Sequence, residues 1–206
     1  MKDFLFNNFI FNNITLLFLS TGLLITFFTL LSGWRKINNY KSLFLANIIL
    51  FIFSFSIVIS TKDWFIFIIG WEFVTLTTSV MLVWDDKYAA WEYFVIQFIG
   101  GSFLILTVLT AYTNGYQMIG PIEEFWLQLM FIVGLGIKSS IIGLHSWLPY
   151  IYEKASTTFC ALSSGLTAKL GYITLLRIIA DGNRLLLYLG IIMIFYGGIK
   201  KKKKKS

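Results

Sequence analysis

The sequence predicts an all-α polytopic membrane protein, and three observations predict it. Hydrophobic residues make up 57% of the 206 positions and mean hydropathy is +0.77, too apolar for a soluble domain. The apolar residues fall into runs near the length that crosses a hydrocarbon core of about 30 Å as a helix. The two prolines both fall between them, and in lipid a helix satisfies its own backbone where an open strand does not. About seven transmembrane segments result, at 14–33, 43–60, 64–84, 90–112, 125–145, 156–180 and 185–199. Residues 1–13 form an N-terminal segment, 14–199 the transmembrane domain, and 200–206 a polylysine tail.

The first segment carries no internal charge and reads as packing or lipid-facing. The second holds Asn47 and scattered serines, whose side chains bond the preceding turn. Lys62 and Asp63 make a polar turn. Trp64 and Trp84 bracket the third segment at positions that suit amphipathic rings at a membrane interface. Inside that segment lies Glu72, with Thr75 and Ser79 three and seven residues on, on the same helical face. Asp85, Asp86 and Lys87 form a solvated turn.

The fourth segment opens on Trp91-Glu92-Tyr93. Glu92 has two readings, an interfacial acid favoured by the helix dipole or a member of a proton relay. Gly100, Gly101 and Ser102 let another helix approach closely. Glu123 and Glu124 precede the fifth segment as first-turn acids. Lys138 sits midway along that segment, cleared by Gly134, Gly136, Ser139 and Ser140, with His145 seven residues on and on the same face. His145 opens a short hinge, His145-Ser146-Trp147-Leu148-Pro149, which can break the helix. It is either a hydrogen-bonded hinge residue or a proton carrier, since imidazole titrates near neutrality. Lys169 lies midway along the sixth segment behind Ser163, Ser164, Gly165 and Thr167, and Arg177 further on snorkels to the interface.

Three ionisable groups, Glu72, Lys138 and Lys169, therefore fall deep inside apolar runs. A charge in lipid costs at least roughly 3 kcal/mol, so such residues face protein or water and mark function. An acid there is charged only when a cation compensates it, and that conditional charge is what a proton switch needs. One buried acid and two buried lysines on separate helices read as a proton-relay line.

The net charge of +7 does not signal nucleic acid. Six of the seventeen basic residues are the run Lys200 to Lys205, and no basic patch interleaves with aromatics. A lone Cys160 excludes an intrachain disulfide and a cysteine-built metal site, and it reads as a packing thiol. Residues 1–13 lack the features of a secretory signal and of an arginine-rich presequence. Loop charges orient the chain. With the tail counted, one side carries eleven basic residues and the other only Lys2, Lys62 and Arg184, which puts the tail on the cytoplasmic or matrix side.

The stretches Gly70-Trp71-Glu72, GIKSSIIGLHSWLP (136–149) and LTAKLGYITLLR (166–177) resemble the antiporter-like subunits of respiratory complex I, NADH dehydrogenase subunits 2, 4 and 5, with their Mrp-type relatives. The likeness runs over roughly 43–199, with subunit 2 as first choice. It implies that Glu72, Lys138, Lys169 and His145 form one half of a proton pathway, completed by a second, inverted half. It implies a subunit of proton-translocating NADH:ubiquinone oxidoreductase, with no redox centre and no cofactor bound by this chain. NADH, FMN, iron–sulfur clusters and ubiquinone belong to other subunits. Implied partners are the other membrane-arm subunits and lipids such as cardiolipin. The implied location is the mitochondrial inner membrane with the lysine tail in the matrix, in keeping with a Phe-, Ile-, Asn- and Lys-rich composition typical of AT-rich organelle genes. A Mrp-type Na⁺/H⁺ antiporter subunit, or a structural subunit that does not pump, is the alternative.

Departures from the family pattern are specific. Tyr150 stands in place of an aspartate, and Lys154-Ala155-Ser156-Thr157 in place of a proline-rich stretch, while Glu153 keeps the acid. Glu92, in AAWEYF, stands where many members have lysine. The chain also matches only one half of the inverted-repeat fold. The expectation is an N-terminal fragment of a split subunit, whose remainder is a separate chain.

Overall fold

A computed structural model describes residues 12–36, 41–141, 143–179, 187–188 and 190–196. Its long helices are α1 (Asn13–Lys36), α2 (Lys41–Ser60), α3 (Trp64–Val83) and α4 (Lys87–Thr113). A shorter α5 (Phe125–Ser139) leads through an unwound stretch into α6 (Trp147–Lys154). The last rod is compound: α7 (Thr157–Leu162), a π-helical turn (Ser163–Thr167) and α8 (Ala168–Ile178). Among the described residues, five helical stretches are long and apolar enough to cross a membrane, 157–178 counting as one. The seventh expected segment is helical at 187–188 and 190–196, where it is described. Lys2, Arg184, most of the N-terminal segment and the whole lysine tail lie outside the described residues.

The helices close into a ring. Each of α1 to α4 packs on the next, α6 packs on α4, α8 packs on α5, and α7 with the π turn returns to α1. Start signals are local. Asp63 Oδ1 accepts from Phe65 N at 2.8 Å and Ile66 N at 2.9 Å, capping α3. Asp86 Oδ1 accepts from Ala89 N at 2.8 Å and caps α4. Asp85 Oδ2 accepts from Ser156 N at 2.9 Å, so the expected solvated turn is a tie between two helix starts. Asp86→Ala removes an N-cap and is expected to cost about 1 kcal/mol, measurable as a lower thermal midpoint of the detergent-solubilised protein.

Three expectations need correction here. Trp64 is not an interface ring. It is 1% exposed, stacks on Phe131 at 5.1 Å, and donates Nε1–H to Tyr116 O at 3.0 Å. Its indole N–H found a loop carbonyl, so burial carried no unpaired donor. Arg177 does not snorkel. It donates to Ile59 O at 3.2 Å and Thr61 O at 2.5 Å, satisfying carbonyls at the C-terminal end of α2, where a cation also suits the dipole. Asn47 reaches across to Thr77 O at 2.9 Å on α3, whereas Ser54 and Ser56 do bond their own preceding turn.

Candidate functional site

The site forms where α5 ends. Ser140 adopts the left-handed conformation, φ 55° and ψ 42°, and Ile141 N returns to Gly136 O at 2.9 Å. This is a C-terminal stop of the αL type. Helix α5 is therefore 15 residues long, roughly 22 Å at 1.5 Å per residue, too short for the bilayer core. The unwound stretch and α6 come after it. Two sequence expectations change accordingly. Lys138 is in the last turn of α5, not midway along it, and the break begins at Ser140, before His145. Between the expected fifth and sixth segments the chain is mostly helix, α6, with Pro149 in its first turn, where its missing N–H costs nothing.

Lys138 is 2% exposed. Its Nζ donates to Thr75 Oγ1 at 2.6 Å and to Trp71 O at 3.2 Å, and lies 4.3 Å from the centre of the Trp71 ring. Ammonium over an indole face is the strongest of the aromatic cation contacts. Thr75 in turn donates to Trp71 O at 3.1 Å, so both polar atoms of α3 that meet the lysine are otherwise bonded. Glu72 supplies the negative charge whose field Lys138 feels, and the reverse holds. The Glu72 carboxylate lies against α4 at Gly101, where any Cβ would collide with Oε1. Opposite charges at such a place make each other's ionised form cheaper, more strongly than in water because the surroundings are poorly polarisable. On α3, Trp71 O and Thr75 Oγ1 meet Lys138 directly, Ser79 donates to Thr75 O at 2.7 Å, and Glu72 acts on the lysine through its field while its carboxylate lies against α4.

The other predicted residues are not brought to this point. Lys169 is exposed on the described bundle, with Nζ 3.4 Å from Ser164 O. The described bundle does not enclose Lys169, as the apolar run around it suggested, because apolar residues of α8 supply its buried face. Leu170, Ile173 and Thr174 take the inward face instead. His145 is half-buried and sits edge-on to Tyr196, ring centres 5.2 Å apart. Since the helix stops at Ser139, the seven-residue spacing to Lys138 places the two on no common helical face. Glu92 is exposed and lines a pocket of about 480 Å³ with Ser146, Trp147 and Tyr150.

Sequence reasoning passed over Gln97 and Tyr93. Gln97 is 1% exposed in the run YFVIQFIGG, and an amide inside such a run is itself a signal. Tyr93, four residues earlier, is also 1% exposed, and its hydroxyl is 3.3 Å from Thr78 Oγ1. Trp71 was quoted only as part of a motif, although its ring and carbonyl both hold the lysine.

A ring of long apolar helices closed around a lysine buried at a helix break defines a polytopic integral membrane protein. Residues 60–200 match the family described as NADH:quinone oxidoreductase/Mrp antiporter, transmembrane, and the chain belongs to that family. Chain 4 1 of the NAD(P)H-quinone oxidoreductase of a Picosynechococcus strain is 29% identical over 201 residues, covering 85% of this chain and 37% of the relative. Subunit M of Escherichia coli NADH-quinone oxidoreductase is 25% identical over 209 residues, covering 86% and 41%. The fold is shared with a chain of Thermus thermophilus respiratory complex I, at TM-score 0.69 and 20% identity over 83% of this chain and 42% of that one. A chain of an archaeal membrane-bound sulfane sulfur reductase aligns at TM-score 0.70 and 19% identity over 90% and 34%. The chain thus spans about two fifths of the length of these curated relatives. They carry the labels chain 4 and subunit M, whereas subunit 2 was the first choice on motifs alone.

Proposed function

We propose that this chain is part of a proton-translocating membrane-arm subunit of an NADH- or NAD(P)H:quinone oxidoreductase, of the chain 4 or M kind. The observation that carries the reading is Lys138, fully enclosed at a broken helix end, held by Thr75 and Trp71 and placed in the field of Glu72. Moving or neutralising Glu72 changes the cost of the Lys138 charge, and with it the lysine's hold on a proton. Quinone reduction elsewhere in the complex supplies the energy. The cofactors of that reduction, NADH, FMN, iron–sulfur clusters and ubiquinone, are carried by other subunits, and this chain binds none of them.

Lys169 has its place in this reading because of its exposure. It lies on the outer face of this half, where a second, inverted half of the fold would cover it and receive the proton. The mitochondrial inner membrane, a matrix-side lysine tail and cardiolipin at that tail belong to the same proposal. The second reading, a Mrp-type Na⁺/H⁺ antiporter subunit, is kept because the family description spans both classes.

Native-gel separation of mildly solubilised membranes, with mass spectrometry on the band holding this chain, tests the assignment. The expected result is co-migration with a large NADH-oxidising assembly. A small complex without flavin or iron–sulfur subunits would establish the antiporter reading instead.

A further inference from the structure

A pocket of about 480 Å³ opens between the first turns of α4 and the short helix α6. Its walls combine an acid and a hydroxyl, Glu92 and Ser146, with the rings of Trp91 and Tyr150 and the aliphatic Val95 and Ile96. The Lys138–Glu72 pair belongs to α5 and α3 and takes no part in it. The depth of the pocket in the membrane follows from the helix starts. Asp86 caps α4, and Asp85 holds Ser156 N, so the turn before α4 and the end of α6 lie at one level. Tyr88 and Trp91 are exposed beside that level, as aromatic rings are at a membrane interface.

Glu92 is six residues past the Asp86 cap, about 9 Å deeper along the helix. The headgroup layer on one side of a bilayer is about 5–8 Å thick. The exposed carboxylate therefore stands where headgroups give way to hydrocarbon, and a charge at that depth needs a counter-charge. Among the described residues, it accepts no hydrogen bond. Lys154 feels its charge, but also that of Asp86. The Lys154 ammonium lies 4.3 Å from the centre of the Tyr150 ring and donates to the Tyr150 hydroxyl, at the rim of the pocket. An unpaired acid and a base thus sit side by side at the headgroup level. From the pocket inward, Val95, Ile99 and Leu106 share one stripe of α4, and the last two are more than half exposed.

We propose that this pocket binds the headgroup of phosphatidylethanolamine. The primary ammonium donates to the Glu92 carboxylate and the Ser146 hydroxyl, the phosphate faces Lys154, and one acyl chain follows the stripe of α4. Charge complementarity selects the occupant. The pocket offers one negative and one positive group, so its ligand carries one of each, a short distance apart. An anionic lipid brings a phosphate but no cation for Glu92. A choline head brings a cation that donates no hydrogen bond, whereas hydrogen bonds between ionised partners are the strong ones. The proposal concerns lipid and stands apart from proton translocation, so either can fail alone.

The test uses the intact complex that contains this chain, reconstituted in phosphatidylcholine vesicles. A small share of phosphatidylethanolamine carries a photoreactive diazirine in its acyl chain, and labelled peptides are identified by mass spectrometry. Label is expected on residues 91–106, suppressed by excess unlabelled phosphatidylethanolamine and not by excess phosphatidylglycerol. Glu92→Gln keeps the shape and removes the charge. It is expected to lower labelling of that stretch about tenfold, with labelling of the other lipid-facing helices unchanged. Lys154→Gln, which removes the phosphate's partner from an exposed position, is expected to lower it too and decides the matter should Glu92→Gln fail to assemble. Equal labelling of 91–106 in the variant and the unaltered complex would mean unselective boundary lipid and would overturn the proposal. Stronger suppression by phosphatidylglycerol would overturn it as well, and so would a cryo-EM map with a protein segment seated in the pocket.

Discussion

Replacing Lys138 by methionine is expected to abolish proton translocation by this unit while leaving the bundle folded. Methionine fills nearly the same buried volume without an ammonium. Thr75 loses a donor but still donates to Trp71 O, so no hydrogen is orphaned on α3. Removing a buried charge together with its desolvation cost is often neutral for stability. The partner left behind is Glu72, half-buried, which can take a proton and avoid an uncompensated charge. The functional loss is the larger effect, because Lys138 is the enclosed group that the Glu72 field addresses. The measurement is acidification of sealed vesicles per NADH oxidised, against thermal stability of the same preparation. Unchanged acidification in an assembled complex would remove Lys138 from any relay. Lost assembly would reassign it to structure.

The features readable from the sequence divide along physical lines. Length and hydropathy yield the spans, because a bilayer imposes one thickness on every helix, and the starts and ends of α2 and α3 came out within a few residues. Glu72 and Lys138 were legible as site residues because charge in an apolar run needs a reason. That Lys138 binds Thr75 and the Trp71 carbonyl was not legible, since it depends on the packing of α5 beside α3 through a ring of helices. Neither was the early stop of α5. The stretch GIKSSII has no proline, and a serine in the left-handed region is a tertiary choice that local propensity disfavours. Lys169 shows that an apolar run alone does not say which face of its helix is enclosed. A π turn in SSGLT shifts the phase of everything after it, and nothing in a 3.6-residue period reports that shift.

The second large effect is expected at Gly171, where α8 crosses α5. A Cβ there would collide with Ser139 Oγ and stand 2.8 Å from Leu135 O and 3.2 Å from Ser139 Cβ. Alanine gains about 1 kcal/mol of helix propensity over glycine. Overpacking a tight contact costs about 1–3 kcal/mol, and here one neighbour is backbone that cannot turn aside. Gly171→Ala is therefore expected to destabilise the bundle. It should also disturb the site, because Ser139 adjoins Lys138, whose bond to Thr75 is only 2.6 Å long. The second variant separates the two obstacles. Ser139→Ala deletes the hydroxyl, which otherwise donates to Leu135 O at 2.9 Å within its own helix, a weak bond whose loss costs little. The double variant is expected to recover part of the loss, with a coupling above about 0.5 kcal/mol, and the remainder reports the Leu135 carbonyl. Thermal midpoints of the four proteins in one detergent measure it. Strict additivity would mean that α5 and α8 do not meet at this point, and the placement of Lys138 at their junction would need revision.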